Sequence, residues 1–131
     1  MNKLILTLSS IFTGALGVTL SFLPQEVFQF HNEPVNMVGV LAIKLLGTCL
    51  IALASINWLS KGRLIGGIYN RPLALTNALH FNIGAIILIK TLMITFFWSL
   101  FIMSFFYGVF GVAFLKIMFT TPKQVTTNSE A

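Results

Sequence analysis

The chain has 131 residues, of which 56% are hydrophobic and only 8% charged. A soluble domain usually carries about 25% charged residues, so a soluble globular enzyme is excluded first and a membrane protein remains. Net charge is +5, but the basic residues are not clustered on one solvated face, which excludes a nucleic-acid partner. Cys49 is the single cysteine, which leaves no intramolecular disulfide, CxxC redox pair or four-cysteine zinc site.

A membrane-spanning helix needs about 20 consecutive, mostly apolar residues. Four stretches qualify. The first is Leu4–Leu23, between Lys3 and Pro24. Ala15 and Gly17 resemble the small residues of a signal-peptide cleavage site. The apolar run continues to Leu23, however, and a run long enough to span is expected to be retained. Pro24 then opens an outer segment in which Val27, Phe28 and Phe30 predict a short helix lying on the membrane interface. The second span is Met37–Leu59, between Pro34 and Lys61, and Cys49 within it reads as packing. The third, Leu73–Ile94, is opened by Pro72, and the fourth, Phe97–Phe119, is closed by Pro122. Lys90, Thr91, Thr95 and Trp98 mark a tight helical hairpin between the last two. All four prolines fall outside the apolar cores, where a missing amide costs no helical hydrogen bond. Residues 1–121 thus read as one four-span domain. The polar, aperiodic tail Pro122–Ala131 reads as disordered.

Positive charge sets the threading. Lys3, then Lys61, Arg63 and Arg71, then Lys116 and Lys123 fall on one side. Glu26 and Glu33 lie on the other, with Lys90 near the second turn. Both termini are therefore expected to be cytoplasmic. Trp58 belongs at the inner interface and Trp98 at the outer one.

Each span carries a stripe of small or polar residues. Span one has Ser10, Gly14, Gly17 and Ser21. Span two has Lys44, Thr48 and Ser55 with Gly47 beside them. Span three has Asn77 and Gly84 with His80 beside them. Span four has Ser104, Gly108, Gly111 and Leu115 with Tyr107 beside them. Lipid gives helices no hydrophobic reason to associate, so close backbone packing and interhelical hydrogen bonds must do it. The stripes predict the inward faces of an all-α four-helix bundle. The same stripe on span one or four would equally suit a homo-oligomer contact.

Lys44 is the most unusual residue, about 10 Å inside span two at 1.5 Å per residue. Its stem would snorkel outward, or its ammonium would face a cavity, pair with Glu26 or Glu33 and bind an acidic ligand group. His80, with Asn77, would line the deeper end of such a cavity. Otherwise it is interhelical glue, bonded to Tyr107, Ser55 or Asn57. Asn82 points to the opposite face and needs a partner of its own. His31, Glu26 and Glu33 match no strong metal motif, and His31 and His80 lie too far apart to share a metal or clamp a haem. The inner loop, residues 60–72, holds glycines and cations but no Gly-Lys-Ser/Thr sequence, so it is not a P-loop. Lys61, Arg63, Tyr69 and Arg71 read as contacts for lipid headgroups or a partner protein. No Ser-His-acid set, carboxylate pair or other catalytic constellation stands out.

The order of features resembles the DoxX-like group of small four-helix membrane proteins. The points of similarity are a Gly-bearing first span, the Leu23-Pro24 exit and an interfacial outer segment. A Gly47-containing second span, a basic inner loop and a tight final hairpin follow. The resemblance covers the chain in topology and implies an accessory role, in some members beside quinone-linked oxidoreductases.

The expectation is a multi-pass inner-membrane protein of non-enzymatic type with no cofactor, contacting membrane lipids and a membrane-protein partner or its own copies. Two alternatives stay open: a protein holding a lipid or small acidic ligand between its helices, and a subunit of a quinone-linked oxidoreductase.

Overall fold

The computed structural model describes residues 2–120, and among these the chain is helical and turn, without strands. The helices are α1 (Asn2–Phe22), α2 (Pro24–Phe30), α3 (Met37–Ser60), α4 (Arg71–Ile94) and α5 (Trp98–Phe119). The four long ones have 21, 24, 24 and 22 residues and are apolar enough to cross a membrane. At 1.5 Å per residue each reaches about 30 Å or more, the thickness of a hydrocarbon core. This is a four-span membrane protein by length and composition. The tail Pro122–Ala131, expected to be disordered, lies outside the described residues.

The chain divides into two compact units at Arg63/Leu64. The first is built on α1 and α3. Their antiparallel register follows from three contacts. Ser9 faces Asn57, Ser10 faces Ala54, and Gly17 faces Gly47. At the last of these the two backbones touch. A Cβ on Gly17 would lie 2.8 Å from the Gly47 carbonyl oxygen, and one on Gly47 2.7 Å from that of Gly17. Only hydrogen fits on either side.

Helix α1 stops at Leu23, whose backbone leaves the helical region just before Pro24. Pro24 then starts α2, where a missing N–H costs nothing. A short helix is therefore present where the sequence predicts one. It ends in a Schellman motif: Glu33 N–H donates to Phe28 O at 3.0 Å and Asn32 N–H to Gln29 O at 3.0 Å, with Asn32 left-handed at φ 55°. The Asn36 side chain caps α3 by accepting from Gly39 N–H at 2.7 Å.

In the second unit α4 and α5 form the predicted hairpin, joined through Thr95–Phe97. Phe81 is fully buried, with the rings of Tyr107, Phe110 and Phe114 at 5.3, 5.1 and 5.7 Å. Gly84 admits the Tyr107 ring, since a Cβ there would lie 2.6 Å from Cδ1.

The stripes are correct for span one and for most of spans three and four. Span two needs correction. Lys44, Thr48 and Ser55 are exposed, and the face turned inward is Gly47, Leu50, Leu53, Ala54 and Asn57. The Thr48 and Ser55 hydroxyls instead donate to their own helix, to Leu45 O and Ile51 O, which is how a hydroxyl is satisfied in lipid. Leu115 is exposed, and a Cβ on Gly108 would meet nothing within 4 Å. Cys49 is exposed as well, correcting its reading as a packed residue.

Two glycine substitutions therefore have opposite expectations. Gly17→Val forces a branched side chain against the backbone of α3 and should cost about 1–3 kcal/mol or separate the helices. Gly108→Ala should stay within about 0.5 kcal/mol of the parent. Unfolding by SDS in mixed micelles, followed by circular dichroism, checks both.

Candidate functional site

The buried polar residues of the spans fall into two groups, one in each unit. In the first unit Asn57 and Ser9 are fully buried. Asn57 Nδ2 donates to Ser9 Oγ at 3.3 Å, and Ser9 Oγ donates to Leu6 O at 3.1 Å. One turn away Ser10 Oγ donates across the interface to Ala54 O at 2.7 Å. Thr13 Oγ1, also fully buried, returns to Ser9 O at 2.7 Å. This ladder is the strongest polar feature of the unit. Sequence reasoning placed Ser10 on its seam but named Asn57 only as one possible partner of His80. The signal was there: Asn57 lies three residues after Ala54 and ten after Gly47, on their face.

In the second unit His80 and Tyr107 come together, one of the three pairings open to His80. His80 Nε2 lies 3.3 Å from Tyr107 Oη, and the two rings are 5.4 Å apart. Asn82 was expected to face away from this group. It is instead a cross-link of the same hairpin, with Nδ2 donating to Ala78 O at 2.7 Å and to Gly111 O at 3.1 Å. Gly111 makes this possible, because a Cβ there would crowd the Asn82 amide at 2.9 Å. Asn77 is fully buried and donates to Leu73 O at 3.0 Å. The His80–Tyr107 and Asn82–Gly111 bonds join α4 to α5 through side chains rather than charges.

The cavity reading gathered residues from both units. Lys44, Glu26 and Glu33 belong to the first and are exposed. Among the described residues no ion pair joins Lys44 to either glutamate. Asn77, His80 and Tyr107 belong to the second unit. His31 Nδ1–H donates to Val27 O at 2.9 Å. Among the described residues no three His, Cys, Asp or Glu side chains converge as metal ligands would.

The inner loop is the other candidate. Lys61 caps α3 at its C-terminal end, where unpaired carbonyls favour a cation. Its ammonium sits 3.1 Å over the ring of Trp58. Arg63 is exposed. In the second unit the loop continues through Ile65, which is buried, into a tight turn. Gly66 N–H donates to Tyr69 O at 2.9 Å and Tyr69 N–H to Gly66 O at 3.0 Å. Gly66 and Gly67 have φ of 123° and 57°, a region that favours glycine. The glycines that invited a phosphate reading thus serve a turn. Asn70, left-handed at φ 47°, redirects the chain into α4, whose first residue, Arg71, is exposed.

Comparison with family models, with curated proteins and with solved structures gives no match to this chain.

The polar ladder carries a prediction. Interhelical hydrogen bonds in membranes average about 0.6 kcal/mol, with a maximum near 1.7. Asn57→Leu should sit toward the upper end, since Asn57 is fully buried, and Tyr107→Phe near the average. Thr91→Val should be neutral, because Thr91 is exposed and bonds only its own helix, at Ile87 O. Equilibrium unfolding of the three variants in micelles tests the order.

Proposed function

We propose that this chain is a non-enzymatic inner-membrane protein that works as an accessory, partner-binding subunit, its two hairpins assembled as one four-helix bundle. Both termini are cytoplasmic in this reading. The contact is the loop carrying Lys61, Arg63, Tyr69 and Arg71. The observation that carries it is the contrast between spans and loop. Inside the spans Ser9, Ser10, Asn57, Asn77, His80, Asn82 and Tyr107 bond to helices of their own unit. The loop, by comparison, has a defined backbone turn and carries exposed arginines at Arg63 and Arg71. An ordered, cationic segment at a membrane surface suits a protein or headgroup contact better than it suits covalent chemistry. The resemblance to DoxX-like proteins points the same way and adds a redox enzyme as one possible kind of partner.

Two measurements test the reading. With Cys49 replaced by Ala, single cysteines at Gly62 and at Asn32 are labelled with an impermeant maleimide on intact and opened cells. Gly62→Cys should react only after opening and Asn32→Cys before it; the reverse pattern overturns the orientation. A photo-crosslinker at Tyr69 should trap one membrane protein at fixed stoichiometry. Arg63→Gln with Arg71→Gln should weaken that capture by about tenfold or more, at roughly 1 kcal/mol per surface cation. A purified chain that brings no partner, crosslinked or not, sinks the accessory role.

A further inference from the structure

The first unit carries an apolar groove of about 560 Å³ between α1 and α3. It is lined by Ser10, Gly14 and Val18 on one side and Ile51, Ser55 and Trp58 on the other. Its depth comes from Gly14, which has no side chain to fill it. Both lining hydroxyls are already engaged, Ser10 with Ala54 O and Ser55 with Ile51 O. The groove therefore presents hydrocarbon and is of a size that holds small ligands. Val18 and Trp58 on its walls are half exposed.

Its position selects the occupant. On each helix the lining runs over nine residues, Ser10 to Val18 and Ile51 to Leu59. The register that sets Ser10 against Ala54 and Gly17 against Gly47 staggers the two, so the groove runs about 20 Å along the helices at 1.5 Å per residue. That is about two thirds of the ~30 Å hydrocarbon core, and one end of the groove, at Trp58 and Leu59, lies beside Lys61. At that end the groove meets cations. Trp58 lines the groove and also holds the Lys61 ammonium over its ring at 3.1 Å. The α1–α3 register brings Lys3 level with Lys61 and Gly62, and Lys3 and Arg63 are exposed.

We propose that this groove is a binding site for an anionic phospholipid, with one acyl chain between α1 and α3 and the phosphate against Lys61, Arg63 and Lys3. The charges match the anionic headgroup, and the satisfied hydroxyls match the chain. The site does not depend on the accessory role, since a lipid occupies the groove whether or not a partner meets the loop.

The test is native mass spectrometry of the full chain released from nanodiscs of equal phosphatidylglycerol and phosphatidylcholine. The parent should retain one phosphatidylglycerol per chain in preference to phosphatidylcholine. Ser55→Phe fills the groove from an exposed position and should abolish retention while leaving helical circular dichroism unchanged. Ile11→Trp does the same from α1 and serves if the first variant misfolds. Lys61→Gln with Arg63→Gln should keep a bound lipid but lose the preference, by about fivefold per cation. Equal retention by parent and groove-filled variants overturns the site, as does a parent with no headgroup preference. A lipid-independent dimer that Ser55→Phe breaks also overturns it and makes the groove a helix contact.

Discussion

Two backbones in contact inside a lipid bilayer set the terms for the first half of this molecule. Lipid tails are as apolar as leucine, so burying leucine against leucine gains little there. What draws helices together is the number of atom contacts and the few hydrogen bonds that close approach permits. Gly17 and Gly47 provide that approach, each leaving room for the other's carbonyl. With the backbones touching, Ser10 Oγ reaches Ala54 O and the Asn57 amide reaches Ser9. A side chain at either glycine would move the helices apart and lengthen both bonds. The polar ladder is thus a consequence of the glycine contact and adds direction to an attraction that has none.

The second hairpin meets the same requirement with larger groups. Gly84 takes the Tyr107 ring instead of a backbone, and Gly111 takes the Asn82 amide. Phe81 then fills the space among Tyr107, Phe110 and Phe114, lying parallel to Phe114, tilted to Phe110 and edge-on to Tyr107. Glycine acts here as a socket for a side chain. In both hairpins a small residue on one helix is matched to a defined group on its neighbour.

Much of this was legible in the sequence. Length, apolar runs and proline positions make four long apolar helices and the short α2 legible, because the bilayer fixes how long an apolar helix must be. Ser10 and Gly17 are legible as an inward face, whereas the sequence leaves Tyr107, Ser55 and Asn57 equally open as partners of His80. The face of span two is not legible from Lys44, Thr48 and Ser55, whose polarity points inward by the rule that works for span one while all three are exposed. Serine and threonine hydroxyls can return to their own carbonyls and face lipid at little cost, so a hydroxyl does not report direction as an asparagine does. Asn57 and Asn82 have amides too large to be satisfied wholly by their own turn, and both proved to cross between helices. Asn82 was misplaced because rotation from His80 was counted without allowing for the reach of its side chain to Gly111. The loop glycines could not be assigned from composition, since a phosphate cradle and a tight turn both want φ above zero.

Charge completes the physical picture. Most buried polar groups of the spans bond within their own hairpin, the Ser21 and Ser104 hydroxyls excepted, and the charged Lys44 and Lys90 lie exposed on α3 and α4. The strong fields belong to the ends of helices. Lys61 illustrates the difference: it caps α3, neutralising the carbonyl end of the helix, and lies over Trp58 at the depth where indole rings prefer to sit. A cation anchored this way loses less freedom on meeting an anion than one on an unrestrained stem, because one of its degrees of freedom is already spent on the ring. The same indole forms one wall of the groove in the first unit. One residue therefore joins a charge that attracts headgroups to a surface that accepts chains, and recognition of an amphipathic molecule requires that conjunction.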